Sequence, residues 1–127
     1  MKIRSKKPVI LAVDDSPILL NTVSSVLSSK YKVFTLTKPA ELEKVLKKVK
    51  PDLFLLDYRM PEISGFDLVP AIRSHVEHTD TPIIFLTSEG NFDNVLAAVA
   101  LGACDFVIKP FMPETLHAKI LKHLGHK

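Results

Sequence analysis

The sequence predicts an α/β fold, a doubly wound five-stranded parallel sheet with helices on both faces. Three observations predict it. Short apolar runs alternate with amphipathic stretches five times along the chain. Most of the runs are apolar throughout instead of at every second residue, as strands buried on both faces require. Between them the spacing changes to three and four residues, which puts one apolar stripe on each helix.

The five runs are Val9–Val13, Lys32–Leu36, Leu53–Leu56, Pro82–Leu86 and Phe106–Ile108. The first helical stripe is Leu19, Val23, Val26 and Leu27, and the second is Leu42, Val45, Leu46 and Val49. The third is Leu68, Val69, Ile72 and Val76, the fourth Phe92, Val95, Leu96 and Val99, and the fifth Leu116, Ile120 and Leu124. Ser16 before Pro17 reads as an N-cap followed by proline at the first helical position, where a missing N–H costs nothing. Pro39 and Pro113 fit the same role, and Gly102 and Gly125 fall where helices should stop. Pro70 breaks the pattern, since inside the third stretch it removes a backbone hydrogen bond and is expected to kink that helix. Strand–helix units in series imply right-handed crossovers, with ligands beyond the carboxyl ends of the strands.

The chain has 127 residues, the size of one domain, and 46% are hydrophobic, enough for a core. Residues 1–8 read as a basic tail (Lys2, Arg4, Lys6, Lys7) and residues 9–125 as the folded domain. The longest apolar run, Val95 to Cys104, is about half of the roughly 20 residues that a bilayer demands. The run Val9–Val13 ends at Asp14 and Asp15, too short for a signal peptide's apolar stretch of roughly 7–15 residues. Cys104 is the only cysteine, so no internal disulfide can form. A cytoplasmic location without membrane contact is expected. The net charge of +3 comes from the tail and from lysines such as Lys44, Lys47, Lys48, Lys119, Lys122 and Lys127. These read as solvated helix faces, and no aromatic residues interleave with them, so nucleic-acid binding is not expected.

The strand ends carry the chemistry. Strand one runs into Asp14–Asp15, strand three into Asp57, strand four into Thr87–Ser88 and strand five into Lys109–Pro110. Neighbouring strands lie about 4.8 Å apart. Ionised carboxylates that close repel, so either some stay protonated or a cation is present. An all-oxygen set with room for water suits Mg2+, whereas zinc prefers nitrogen or sulfur. The pairs His75/His78 and His123/His126 offer a transition-metal alternative, against which exposed helix-end histidines are the commoner reading.

The segment Asp57-Tyr58-Arg59-Met60-Pro61-Glu62-Ile63-Ser64-Gly65 resembles the phosphoacceptor loop of response-regulator receiver domains. Val13–Ser16, Leu86–Ser88 and Gly102–Phe111 resemble the family's other motifs, in order, so that the likeness runs from about Val9 to Leu124. The resemblance implies a flavodoxin-like (βα)5 domain with strand order 2-1-3-4-5. It implies a two-component switch with Asp57 as the nucleophile that accepts a phosphoryl group. Asp15 and Asp57 would ligate Mg2+ through side chains, Arg59 through its backbone carbonyl, and Asp14 through a metal-bound water. Lys109 and Thr87 would contact phosphoryl oxygens, and Lys109–Pro110 would be a cis peptide. Beyond self-phosphorylation and self-dephosphorylation, no enzyme activity is implied.

By the same resemblance, Thr87 and Phe106 are the switch pair. Phe106 stands where many members have tyrosine, and plain core is the rival reading. Arg59 and Glu89 border the pocket mouth, as screens against water or as a weak surface pair. The implied phosphodonor is a sensor histidine kinase or a phosphotransfer protein. The output surface is the fourth helical stretch (Ala97, Ala98 and Leu101, beside Asp93 and Asn94) with strand five and the fifth stretch. It would face an unknown downstream protein or a second copy of the chain. A stand-alone receiver and a piece of a longer protein are both open.

Two rival chemistries fit worse. An aspartyl phosphatase of the haloacid-dehalogenase type needs Asp-x-Asp after strand one, and here Asp14 and Asp15 are adjacent. A nucleotide binder needs a glycine- or hydroxyl-rich first loop. A degenerate receiver serving only as a docking module is the competitor in function.

Overall fold

The computed structural model describes residues 7–61, 63–88, 99–100 and 105–124. Five strands, β1 (Val9–Val13), β2 (Lys32–Leu36), β3 (Leu53–Asp57), β4 (Ile83–Thr87) and β5 (Asp105–Ile108), form one sheet in the order β2-β1-β3-β4-β5. Every pairing is parallel. The helices among the described residues are α1 (Pro17–Leu27), α2 (Leu42–Leu46), α3 (Gly65–Arg73) and α4 (Pro113–Leu124). Short 3-10 turns at Pro39–Glu41 and Val76–His78 accompany them. The fourth predicted stripe lies outside the described residues except for Val99, so α4 is the fifth predicted helix.

Alternation along the strands splits the core between two faces. Ile10, Ala12, Leu53, Leu55, Ile84, Leu86 and Val107 meet α1 and α4 through Leu20, Val23, Leu27, Leu116 and Ile120. Leu11, Val13, Phe54, Leu56, Ile83 and Phe85 meet α2 and α3 through Leu42, Leu68, Val69 and Ile72. Each of these valine, leucine, isoleucine and phenylalanine side chains contributes roughly 1.5–3 kcal/mol when fully buried. That burial on both sides explains why β3 and β4 read as unbroken apolar runs.

Ser16 caps α1, accepting a hydrogen bond from Leu19 N at 3.2 Å, with Pro17 in the first turn. Ser64 caps α3 in a reciprocal box with Asp67. Pro70 stands inside α3 on its exposed side, and the helix continues to Arg73.

Four expectations need correction. Pro39 opens a 3-10 turn, and α2 ends at Leu46, so Val49 is not helical. Val76 does not extend the third stripe: α3 stops at Arg73, and Val76 is 86% exposed in the next turn. His78 is not an exposed helix-end residue but is buried, with Nδ1 2.8 Å from Thr81 Oγ1 and its ring edge-on to Phe54. Lys119 does not simply solvate a helix face, since it pairs with buried Asp105 at 2.7 Å. Around His78, Arg73 ties the chain down by donating to the carbonyls of His78 (3.0 Å) and Thr81 (2.6 Å). Glu89, Asp93, Asn94, Ala97, Ala98, Leu101, Gly102, Cys104, Gly125 and His126 lie outside the described residues.

Candidate functional site

The strand order reverses between β1 and β3, because the chain leaves β1 toward β2 on one side and later returns to its other side as β3. A crevice opens beyond the carboxyl ends at such a point. Asp14 and Asp15 follow β1, and Asp57 is the last residue of β3. One carboxylate oxygen from each lies within 4.8 Å of the others, the only such cluster of metal-ligating groups among the described residues. Asp14 and Asp57 are buried and Asp15 is exposed.

Local hydrogen bonds fix each acid. Asp14 N donates to Leu36 O at 3.0 Å, and Asp14 Oδ1 accepts from Ser16 N at 2.9 Å, tying the acid to the start of α1. Tyr58 N donates to Leu86 O at 2.8 Å, which extends the β3–β4 ladder past Asp57. The chain then folds back, with Gly65 N bonded to Tyr58 O at 3.1 Å. A methyl group on Gly65 would overlap the carbonyl oxygen of Asp57 and come within 3.1 Å of the Phe85 ring. Glycine is therefore what lets α3 start against the end of β3. In the sequence, Gly65 shows only as the last residue of the loop motif that begins at Asp57.

Lys109 enters from the other side. Its backbone N–H donates to Thr87 O at 2.7 Å, and Lys109–Pro110 is a cis peptide. Its Nζ lies 3.0 Å from Asp57 Oδ1 and 3.3 Å from Asp14 Oδ2. Thr87 is buried and stands one residue beyond Leu86, the register partner of Asp57. Phe106 pairs in register with Phe85, on the same sheet face as Thr87, and its ring is half-buried. Arg59 is exposed, and its backbone N–H reaches the Asp57 carboxylate.

Burial pushes the Asp57 carboxyl up to about 6, with the charge of Asp14 acting in the same direction, while Lys109 and the Arg59 N–H hold it down. Burial would lower the Lys109 ammonium, but Asp57 and Asp14 outweigh it and keep the pKa above the usual lysine value. One lysine thus faces two buried acids, with a third acid at the rim. The donor set is all oxygen and open to water at Asp15, which fits Mg2+ and lacks the nitrogen or sulfur that zinc prefers. A groove of about 480 Å³ continues from Asp15 past Lys38 to Met60 and Ile63.

These features define a doubly wound α/β domain with a cation-seeking acidic pocket at its switch point. Residues 10–121 match the family model of the response regulator receiver domain, and the chain belongs to that family. The two-component response regulator ORR3 of Oryza sativa is 35% identical over 85% of this chain and 84% of its own length. The phosphate regulon transcriptional regulatory protein PhoB of Pseudomonas aeruginosa is 31% identical over 90% of this chain. The chain spans half or less of the length of PhoB and several other curated relatives that it matches. Among solved structures, the Vibrio cholerae chemotaxis protein CheY4 superposes with a TM-score of 0.88 at 33% identity, covering 93% of this chain and 99% of that one. No helix among the described residues is long and apolar enough to cross a membrane.

Proposed function

We propose that this receiver domain is a phosphorylation switch in which Asp57 accepts a phosphoryl group in a Mg2+-dependent step. The observation that carries the reading is the convergence of Asp14, Asp15, Asp57 and Lys109 at the switch point. Asp15 and Asp57 would hold the ion through their side chains and Arg59 through its backbone carbonyl, with Asp14 reaching it through a water. When bound, Mg2+ neutralises the negative charge that builds up between the acids and the incoming phosphate.

The chain's own groups do the rest. An Asp57 carboxylate oxygen attacks phosphorus as the bond to the leaving group breaks, and the departing group takes the electron pair. Lys109 supplies positive charge to the transferred oxygens. The Thr87 hydroxyl donates to another of them. The product adds about two negative charges to the pocket. Thr87 then draws toward the phosphoryl group and Phe106 turns into the space it leaves. That alters the surface of β5, α4 and the fourth stretch predicted from the sequence, which a downstream protein or a second copy of the chain reads.

A sensor histidine kinase or phosphotransfer protein is the donor implied by the family, and the relative ORR3 is by name a two-component response regulator. The test is intact mass after incubation with acetyl phosphate, with and without Mg2+, for wild type and Asp57→Asn. One added phosphoryl group in wild type with Mg2+ alone supports the switch. No gain in any sample leaves the docking module.

A further inference from the structure

Phe106 lies on β5, the edge strand of the sheet, and no described strand pairs with its outer side. Its ring packs against the α2/α3 face of the core but remains half-buried. The helix α4 sits on the opposite face, where Leu116 and Ile120 join the other core cluster. Lys119 nevertheless reaches around the sheet edge, and its Nζ stands 5.4 Å from the centroid of the Phe106 ring. That is within the range of a cation–π contact.

The ammonium is fixed there by Asp105, which is only 8% exposed. Lys119 Nζ lies 2.7 Å from Asp105 Oδ1. The same carboxylate accepts from Phe106 N at 2.9 Å, and its Oδ2 lies 2.9 Å from His123 Nε2 and 3.7 Å from Lys122 Nζ. One buried acid therefore holds both the backbone of Phe106 and the cation over its ring.

We infer that Lys119, pinned by Asp105, is a positioning residue that holds the Phe106 side chain in its half-buried rotamer. Turning the ring away from that position forfeits the contact with the cation, so α4 biases the aromatic. The reading of Phe106 as a switch gives this coupling its consequence, but the coupling itself exists in the unmodified protein.

The test is the rotamer population of Phe106 by NMR, read from three-bond couplings of its Cγ to backbone nitrogen and carbonyl carbon. In Lys119→Met, which keeps most of the stem and removes the charge, the population ratio moves about two- to five-fold away from the observed rotamer. Lys119→Arg restores it, and Asp105→Asn, which frees Lys119, shifts it the same way as Lys119→Met. Wild-type populations in both Lys119→Met and Asp105→Asn overturn the inference, as does a failure of Lys119→Arg to restore them. Wild type with Mg2+ and beryllofluoride forms a separate arm. An unmoved Phe106 there removes the switch reading and leaves the Lys119 contact standing.

Discussion

The α-carbon of Gly65 faces the carbonyl oxygen of Asp57 with no room for a methyl group between them. The helix α3 is thus docked directly on the backbone of the residue proposed to react. Gly65→Ala is expected to push these two segments apart and to cost about 1–3 kcal/mol, as overpacking does. Urea unfolding measures the loss. Because the strain falls on Asp57, the variant should also gain phosphate from acetyl phosphate more slowly than wild type.

Lys109 and a divalent cation would both face the same acids. Asp15→Asn removes a proposed ligand and should weaken Mg2+ binding by roughly tenfold or more. Lys109→Met removes a positive charge 3.0 Å from Asp57 and should strengthen it. Isothermal calorimetry reads both, and the opposite signs separate ligand loss from general disruption of the pocket.

Burial alone would raise the Asp105 carboxyl, but hydrogen bonds from Lys119, His123 and the Phe106 N–H, with the charge of Lys119, bring it down to about 2. A group whose folded pKa lies below its unfolded value stabilises fully above that unfolded value, here 3.8, and loses the contribution as pH falls toward about 2. The difference is worth about 2 kcal/mol. Wild type should therefore lose its stability advantage over Asp105→Asn between pH 4 and pH 2, measured by denaturant unfolding at each pH.

His78 carries the opposite group type. Burial lowers its pKa from 6.5, against the pull of the Glu77 charge. The unfolded chain takes up the proton first, so the stabilisation is present above pH 6.5 and declines as pH falls below it. The His78 ring should titrate below 6.5 in an NMR series. His78→Gln should flatten the fall in stability on the acid side of that value.

The central strands β1, β3 and β4 were legible because they are buried on both faces and so read as apolar runs. Ser16–Pro17 announced α1 through capping chemistry that is purely local. The acids were legible for a related reason: polar residues that end buried strands must share one rim of the sheet. What stayed hidden depends on tertiary contact. Val76 keeps the helical spacing, yet the chain leaves the helix at Arg73, whose guanidinium holds the carbonyls of His78 and Thr81 instead. His78 looked like a helix-end residue, and only the Phe54 ring and Thr81 make it a core residue. Lys119 looked like one of many solvated lysines, because Asp105 lies 14 residues away in sequence and meets it only once α4 packs on the sheet. The need for glycine at position 65 arises where two backbone segments touch, which no local pattern encodes.

Peptide mapping tests the central claim most directly. The protein is incubated with acetyl phosphate and Mg2+, then reduced with borohydride, which converts an aspartyl phosphate to homoserine. Homoserine at position 57, and its absence when Mg2+ is withheld, is the predicted result. Homoserine at another aspartate, or at none while Mg2+ is present, would contradict the account.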